Sequence, residues 1–330
     1  MSTIANKFHW NATFQYAPPG PTDKWESRFH TLMMGAAAVA VAISWLGYHY
    51  SKLTISFSQA IPTLLLLFFL FVVAAQYRWR NEPKCFNVVM MTSWVVAITN
   101  LHFFPMYMAA RQNVEMSDAL LAKLDRALGI EVPAVLEMLK PYPVFNDLML
   151  FVYSSLIPLM TLATIVPPLC GRMDKAKEFA LGCMVAASLS MPIFACFQAV
   201  GPWDYYGFTP AFPSLANKAA MLASLKTNAW FVIDLSNRDG LITFPSFHVV
   251  LTVLAAAALW PIRYLRWLTS GWAALIVVST VTTGIHYTTD VLGGFLVALI
   301  AYAGAKAFLR WESRIKGVRN LFVLQRQKGS

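Results

Sequence analysis

The sequence predicts an all-α fold: a polytopic membrane helix bundle of about eight transmembrane helices, with one interfacial amphipathic helix. Three observations predict it. The chain is 58% hydrophobic and only 13% charged, about half the charge of a soluble globular domain. Its apolar residues gather in windows of roughly 20, the length that crosses a bilayer. Its basic residues sit in short clusters between those windows, where they act as topology signals.

Residues 1–29 are polar and rich in proline and aromatics; they read as a cytoplasmic N-terminal segment, with no cleavable signal peptide ahead of the first span. Residues 30–85 hold two accessory helices, with apolar windows at 30–50 and 58–77. The core, 86–310, carries windows at 86–110, 144–169, 178–200, 245–262, 267–285 and 288–309. Between the third and fourth spans, at 117–139, apolar residues recur at helical spacing while Lys123, Asp125 and Arg126 interrupt them. That pattern suits a helix lying in the membrane interface. A long external loop is expected at 201–244 and a basic cytoplasmic tail at 311–330.

The formal charge is +10, from Lys+Arg 26 against Asp+Glu 16. Its placement between apolar runs argues for contacts with anionic lipid and against nucleic acid. Lys24/Arg28, Arg78/Arg80/Lys84, Arg172/Lys175/Lys177, Arg263/Arg266 and the tail from Arg310 fall at alternate ends of successive spans. Both termini are therefore predicted cytoplasmic, in a multi-pass protein of the cell (inner) membrane. Cys85, Cys170, Cys183 and Cys196 lie in or beside apolar segments without Cys-x-x-Cys spacing, which suggests neither disulfide framework nor zinc site.

That orientation brings two histidines to one boundary. His248 falls in the first turn of the sixth span, and His286 lies between the seventh and eighth, 38 positions later. His286 and Asp290 are four apart, a spacing that puts both on one helical face. Asp290 is the only carboxylate between Asp239 and Glu312, and an acid isolated in apolar sequence is a functional-site hypothesis. An acid holding Nδ1–H of His286 fixes the tautomer and frees Nε2 to attack an electrophile. His286 then reads as a nucleophile, and His248 as a general acid for the departing oxygen, a contribution of about 10² to 10⁴-fold. Pro245 and Ser246 open the sixth span, where free N–H groups, the helix dipole and a hydroxyl suit an anion. Together these groups describe phosphoryl transfer through a phosphohistidine, with no metal and no cofactor.

At these residues the sequence resembles the type 2 phosphatidic acid phosphatase superfamily. That family carries a Pro-Ser-Gly-His motif, present here as Pro245-Ser246-Phe247-His248, and a Ser-Arg-x5-His-x3-Asp motif, present as Ser279-Thr280 followed by His286 and Asp290. Threonine replaces the arginine, and the family's Lys-x6-Arg-Pro motif has no counterpart; Gly201-Pro202-Trp203 occupies about its place. Loss of the arginines with retention of both histidines and the aspartate resembles the inositol phosphorylceramide synthase branch. The resemblance extends over roughly 100–310, including an Asp-x-x-Leu-Gly-like piece from Asp125 to Gly129. It implies a six-helix phosphatase-like core, a lipid phosphate substrate and, as acceptor, water or a hydroxyl-bearing lipid or sugar. The missing arginines leave the phosphate needing another cation. Arg238 is the preferred candidate, followed by Lys226 and Lys218, with Ser246 as a further phosphate ligand.

Two other classes fit parts of the pattern. Two histidines and a carboxylate also make a facial triad for iron. A transporter is disfavoured because the ionisable residues gather at a boundary and transporters bind at midplane. His102, beside Asn100, reads as a satisfied bundle contact, and Trp203, Tyr205 and Tyr206 as interfacial aromatics.

Overall fold

The computed structural model describes residues 27–55, 57–209, 211–227, 230–233 and 240–328, with the side chains of 27, 57–59, 213–214 and 315–328 left aside. The chain starts with α1 (Ser27–Tyr50), a short strand β1 (Leu53–Ile55) and α2 (Phe57–Trp79). Leu65, Phe68 and Phe69 of α2 point outward, as hydrocarbon permits and water does not. α3 (Pro83–Leu101) begins with a proline in its first turn, where a missing N–H leaves nothing unsatisfied.

After a single non-helical residue, His102, comes α4 (Phe103–Ala110). Next are α5 (Asp118–Ala127), α6 (Val132–Leu139), α7 (Pro143–Ser154) and, after Ser155, α8 (Leu156–Leu169). Each break sits three residues ahead of a proline, Pro105 or Pro158. Lacking an N–H, each proline strands the carbonyl four residues back, and the helix yields there. α9 (Met173–Cys196) completes this half.

The stretch after α9 folds into α10 (Pro202–Tyr205), α11 (Pro213–Ala216), α12 (Lys218–Thr227) and β2 (Phe231–Ile233). The last three elements are α13 (Phe247–Leu259), α14 (Arg266–Thr282) and α15 (Thr288–Lys328).

Among the described residues six helical segments are long and apolar enough to cross a membrane, which makes the chain an all-α polytopic membrane bundle. The windows expected at 245–262 and 267–285 are shorter in the structure: α13 has 13 residues and α14 has 17. Thirteen residues rise only about 20 Å, less than the ~30 Å of hydrocarbon in a bilayer. α13 is instead the enclosed centre of the bundle, packed by α8, α9, α14 and α15. Its Val250, Leu254, Ala255 and Leu259 are buried, as befits a helix apolar on every side.

The interfacial helix expected over 117–139 divides into α5 and α6 at Gly129, whose φ of +75° suits glycine. Leu120, Leu124 and Leu128 face outward along one side of α5. Asp118 and Asp125, two turns apart, are buried on the other. β1 pairs with β2 in parallel, Leu53 opposite Phe231, and so ties the loop after α1 to the stretch after α12. Three-residue strands leave too little alternation to be read in a sequence.

Candidate active site

Gly284, at φ +71°, turns the chain out of α14. The segment 285–287 then crosses to α15, and the backbone N–H of His286 donates to the carbonyl of Thr280 at 3.0 Å. His286 therefore stands in the connecting turn; it does not share a helical face with Asp290 as the four-residue spacing suggested. The pair meets all the same. Asp290 lies in the first turn of α15, where Oδ2 accepts the backbone N–H of Tyr287 at 2.9 Å and stands 3.3 Å from Nδ1 of His286. One carboxylate thus closes the helix start, in the manner of a capping box, and faces the imidazole. Both residues are buried, Asp290 completely.

The backbone carbonyl of Asp290 accepts the N–H of Ser246 at 3.0 Å. This bond docks the start of α13 onto the start of α15. Two residues on, His248 stacks flat on the ring of Tyr153, centroids 3.9 Å apart and planes 11° apart. Its Nε2 lies 2.9 Å from the Tyr153 carbonyl. A carbonyl only accepts, so Nε2 carries the proton and Nδ1 remains for other chemistry. The Tyr153 carbonyl lies next to the break before α8.

His248 and His286 line one cavity of about 350 Å³, together with Lys218, Tyr153 and Phe212. Lys218 is buried, and its Nζ donates to Oγ1 of Thr243 at 2.6 Å; that hydroxyl in turn donates to the Ala199 carbonyl at 2.7 Å. The cavity is otherwise mostly apolar, with Met106, Leu156 and Leu251 on its wall. Its wall thus combines the polar side chains of His248, His286 and Lys218 with apolar surface.

The remaining expected phosphate ligands fare differently. Ser246 is fully buried and is not on the cavity wall; its Oγ accepts the N–H of Val249 at 3.4 Å as the N-cap of α13. Lys226 is elsewhere as well, with Nζ donating to the Val114 carbonyl at 2.8 Å and 3.6 Å from Sδ of Met116. Burial pulls its ammonium below the usual lysine range. Arg238 lies outside the described residues. Of the three cations considered, the structure brings Lys218, the last in order of preference, to the histidines. Thr280, where the family has arginine, is buried and donates to the Val277 carbonyl at 2.7 Å.

His102 is a bundle contact, its Nδ1 2.9 Å from the Ile98 carbonyl and its Nε2 3.3 Å from Oγ of Ser188. Trp203 departs from the interfacial reading. It is buried, and its backbone N–H donates to the Gly284 carbonyl at 3.2 Å, because Gly201, at φ +135°, turns α10 inward against the residues before His286. Sequence reasoning missed Tyr153 and Thr243 altogether. It placed Asp118 and Asp125 on an interfacial helix without assigning them a task. Their seven-residue spacing, which puts both on one helix face, was a usable signal.

Residues 119–304 match the family model described as the PAP2 superfamily. No curated protein and no solved structure matches the chain.

Proposed function

The chain belongs to the PAP2 superfamily, and from that premise we propose that it is a lipid phosphatase or phosphotransferase that works through a phosphohistidine without a metal ion. The observation that carries this reading is the shared cavity: His248, His286 and Lys218 line it, and Asp290 stands behind His286.

In the first half-reaction Nε2 of His286 forms a bond to phosphorus as the bond to the leaving oxygen breaks. The electron pair stays on that oxygen, which takes a proton from Nδ1 of His248, an imidazolium at the start of the step, while Nε2–H remains on the Tyr153 carbonyl. Asp290 balances the positive charge that develops on His286. In the second half-reaction water or an alcohol attacks phosphorus, gives its proton back to His248, and the P–N bond breaks. Lys218 supplies positive charge to the phosphoryl oxygens, the task of the arginines this chain lacks. Loss of those arginines also supports the inositol phosphorylceramide synthase-like branch, and with it transfer to a lipid or sugar hydroxyl.

The start of α13, residues of α11 and α12, and Ile285 and His286 ahead of α15 line the cavity. Arg78, Arg80, Arg172 and Arg263 lie at the opposite helix ends. Positive-inside bias then supports cytoplasmic termini and an active site facing the extracytoplasmic side of the cell membrane.

The deciding experiment incubates purified protein in detergent with labelled phosphatidic acid, polyprenyl pyrophosphate, or phospholipid with ceramide. Label appearing as inorganic phosphate identifies a phosphatase, and label in a second lipid a transferase. His286→Ala should abolish both and remove any acid-labile phosphoprotein. Full turnover by that variant would refute the proposal.

A further inference from the structure

The site residues are held by an element that contributes nothing to the cavity wall. α5 lies against the start of α15 and turns two buried carboxylates toward it. Asp125 accepts three hydrogen bonds from the residues just ahead of Asp290: Thr288 N–H at 2.8 Å and Thr289 N–H at 2.8 Å, plus the Thr289 hydroxyl at 2.6 Å. Asp118 accepts the N–H groups of Val200 at 3.1 Å and Gly201 at 2.9 Å, and the hydroxyl of Tyr287 at 3.1 Å. The segment from Tyr287 to Thr289 is thus gripped on both sides of its bend, and His286 and Asp290 are the residues that flank it.

We propose that Asp125 and Asp118 are positioning residues: α5 is a clamp that sets the separation of His286 and Asp290, acting through the backbone of 287–289. This inference rests on the functional reading above for its kinetic consequence, though not for its geometric one. The clamp explains why two carboxylates are buried on an otherwise amphipathic helix. Each is compensated by N–H groups that a helix start or a turn leaves without internal partners, which makes their burial tolerable. A carboxylate at a helix N-terminus also gains from the dipole of α15. Without Asp125 the first turn of α15 loses three hydrogen bonds at once, and Asp290, one residue on, loses its fixed register against the imidazole.

The test uses the full-length protein with selectively ¹⁵N-labelled histidine, His286 being assigned by its absence in His286→Ala. Asp125→Asn should move the His286 Nδ1 resonance and leave that of His248 in place. It should also lower kcat at least tenfold with KM within twofold, since a shift of about 1 Å away from productive geometry costs on the order of 10²-fold. Adding Asp125→Asn to Asp290→Asn should cost less than threefold more, because the clamp then has no acid to position. Thr289→Val, which deletes a single hydroxyl from the clamp, should shift the same resonance by less and serves if Asp125→Asn does not fold. An unmoved His286 resonance in the folded variant, or losses that multiply in the double variant, would overturn the clamp. Retained turnover in His286→Ala would overturn the functional reading instead, and the resonance would still decide the geometry.

Discussion

Gly294→Ala is the sharpest test of how the two histidine-bearing segments are brought together. Gly293 and Gly294 lie on α15 where the chain runs from Phe244 through Pro245 and Ser246 into α13. A Cβ at position 294 would stand 2.6 Å from the Ser246 carbonyl oxygen and 3.0 Å from Cβ of Val249, whereas ordinary contact begins at 3.4 Å. The Ser246 carbonyl cannot swing aside, because it accepts the N–H of Val250 at 3.1 Å in the first turn of α13. The added methyl therefore drives the two helices apart by about 0.8 Å, the shortfall against ordinary contact. His248 moves with α13 while His286 and Asp290 stay with α15.

A displacement near 1 Å predicts a loss of about 10²-fold in turnover. Overpacking should cost about 1 to 3 kcal/mol of stability. Gly304→Ala is the control on the same helix, since a Cβ there meets nothing within 4 Å. It should keep full turnover and gain up to about 1 kcal/mol from helix propensity. Turnover of whichever labelled lipid the parent protein processes, together with Tm of the same detergent samples, measures both effects. Parent-like turnover and Tm in Gly294→Ala would refute the close approach of α13 to α15 as the device that assembles the site.

Other expectations follow from the assigned roles. His248→Ala should lose far more rate on an alkyl phosphate than on an activated aryl phosphate, because a good leaving group needs little protonation; equal losses would assign His248 to structure alone. Lys218→Met should weaken turnover by at least tenfold, since it removes the cavity's ammonium at nearly constant volume, whereas Lys226→Ala, away from the cavity, should leave turnover within twofold; the reverse ranking would move the phosphate site. Overnight EDTA should leave activity unchanged, while a facial-triad metal site would lose it and regain it with added metal.

How much of this was legible in the sequence varies with the range of the physics involved. The membrane class, the apolar runs and the His286–Asp290 pairing are local properties, carried by composition and by spacing over a single turn. The pairing held even though His286 is in a turn, because a first-turn carboxylate reaches back to the residues ahead of its helix. Choosing among Arg238, Lys226 and Lys218 was not a local matter. Each is a cation in the stretch between α9 and α13, and the fold of that stretch decides that Lys218 meets Thr243 at the cavity while Lys226 turns to Val114. Ser246 likewise offers a hydroxyl to any anion on paper, yet the packing of α15 against it leaves that hydroxyl to cap a helix.

By itself the sequence determined the solvent this chain folds in and the reactive side chains it offers, since apolar run length and residue type act wherever the chain goes. Tertiary structure alone decided that α13 is an enclosed strut of 13 residues, that Tyr153 holds His248, and that α5 grips the start of α15. Those facts depend on a helix-end carbonyl and buried carboxylates finding partners tens to hundreds of positions away, and no periodicity along a chain records where such partners are.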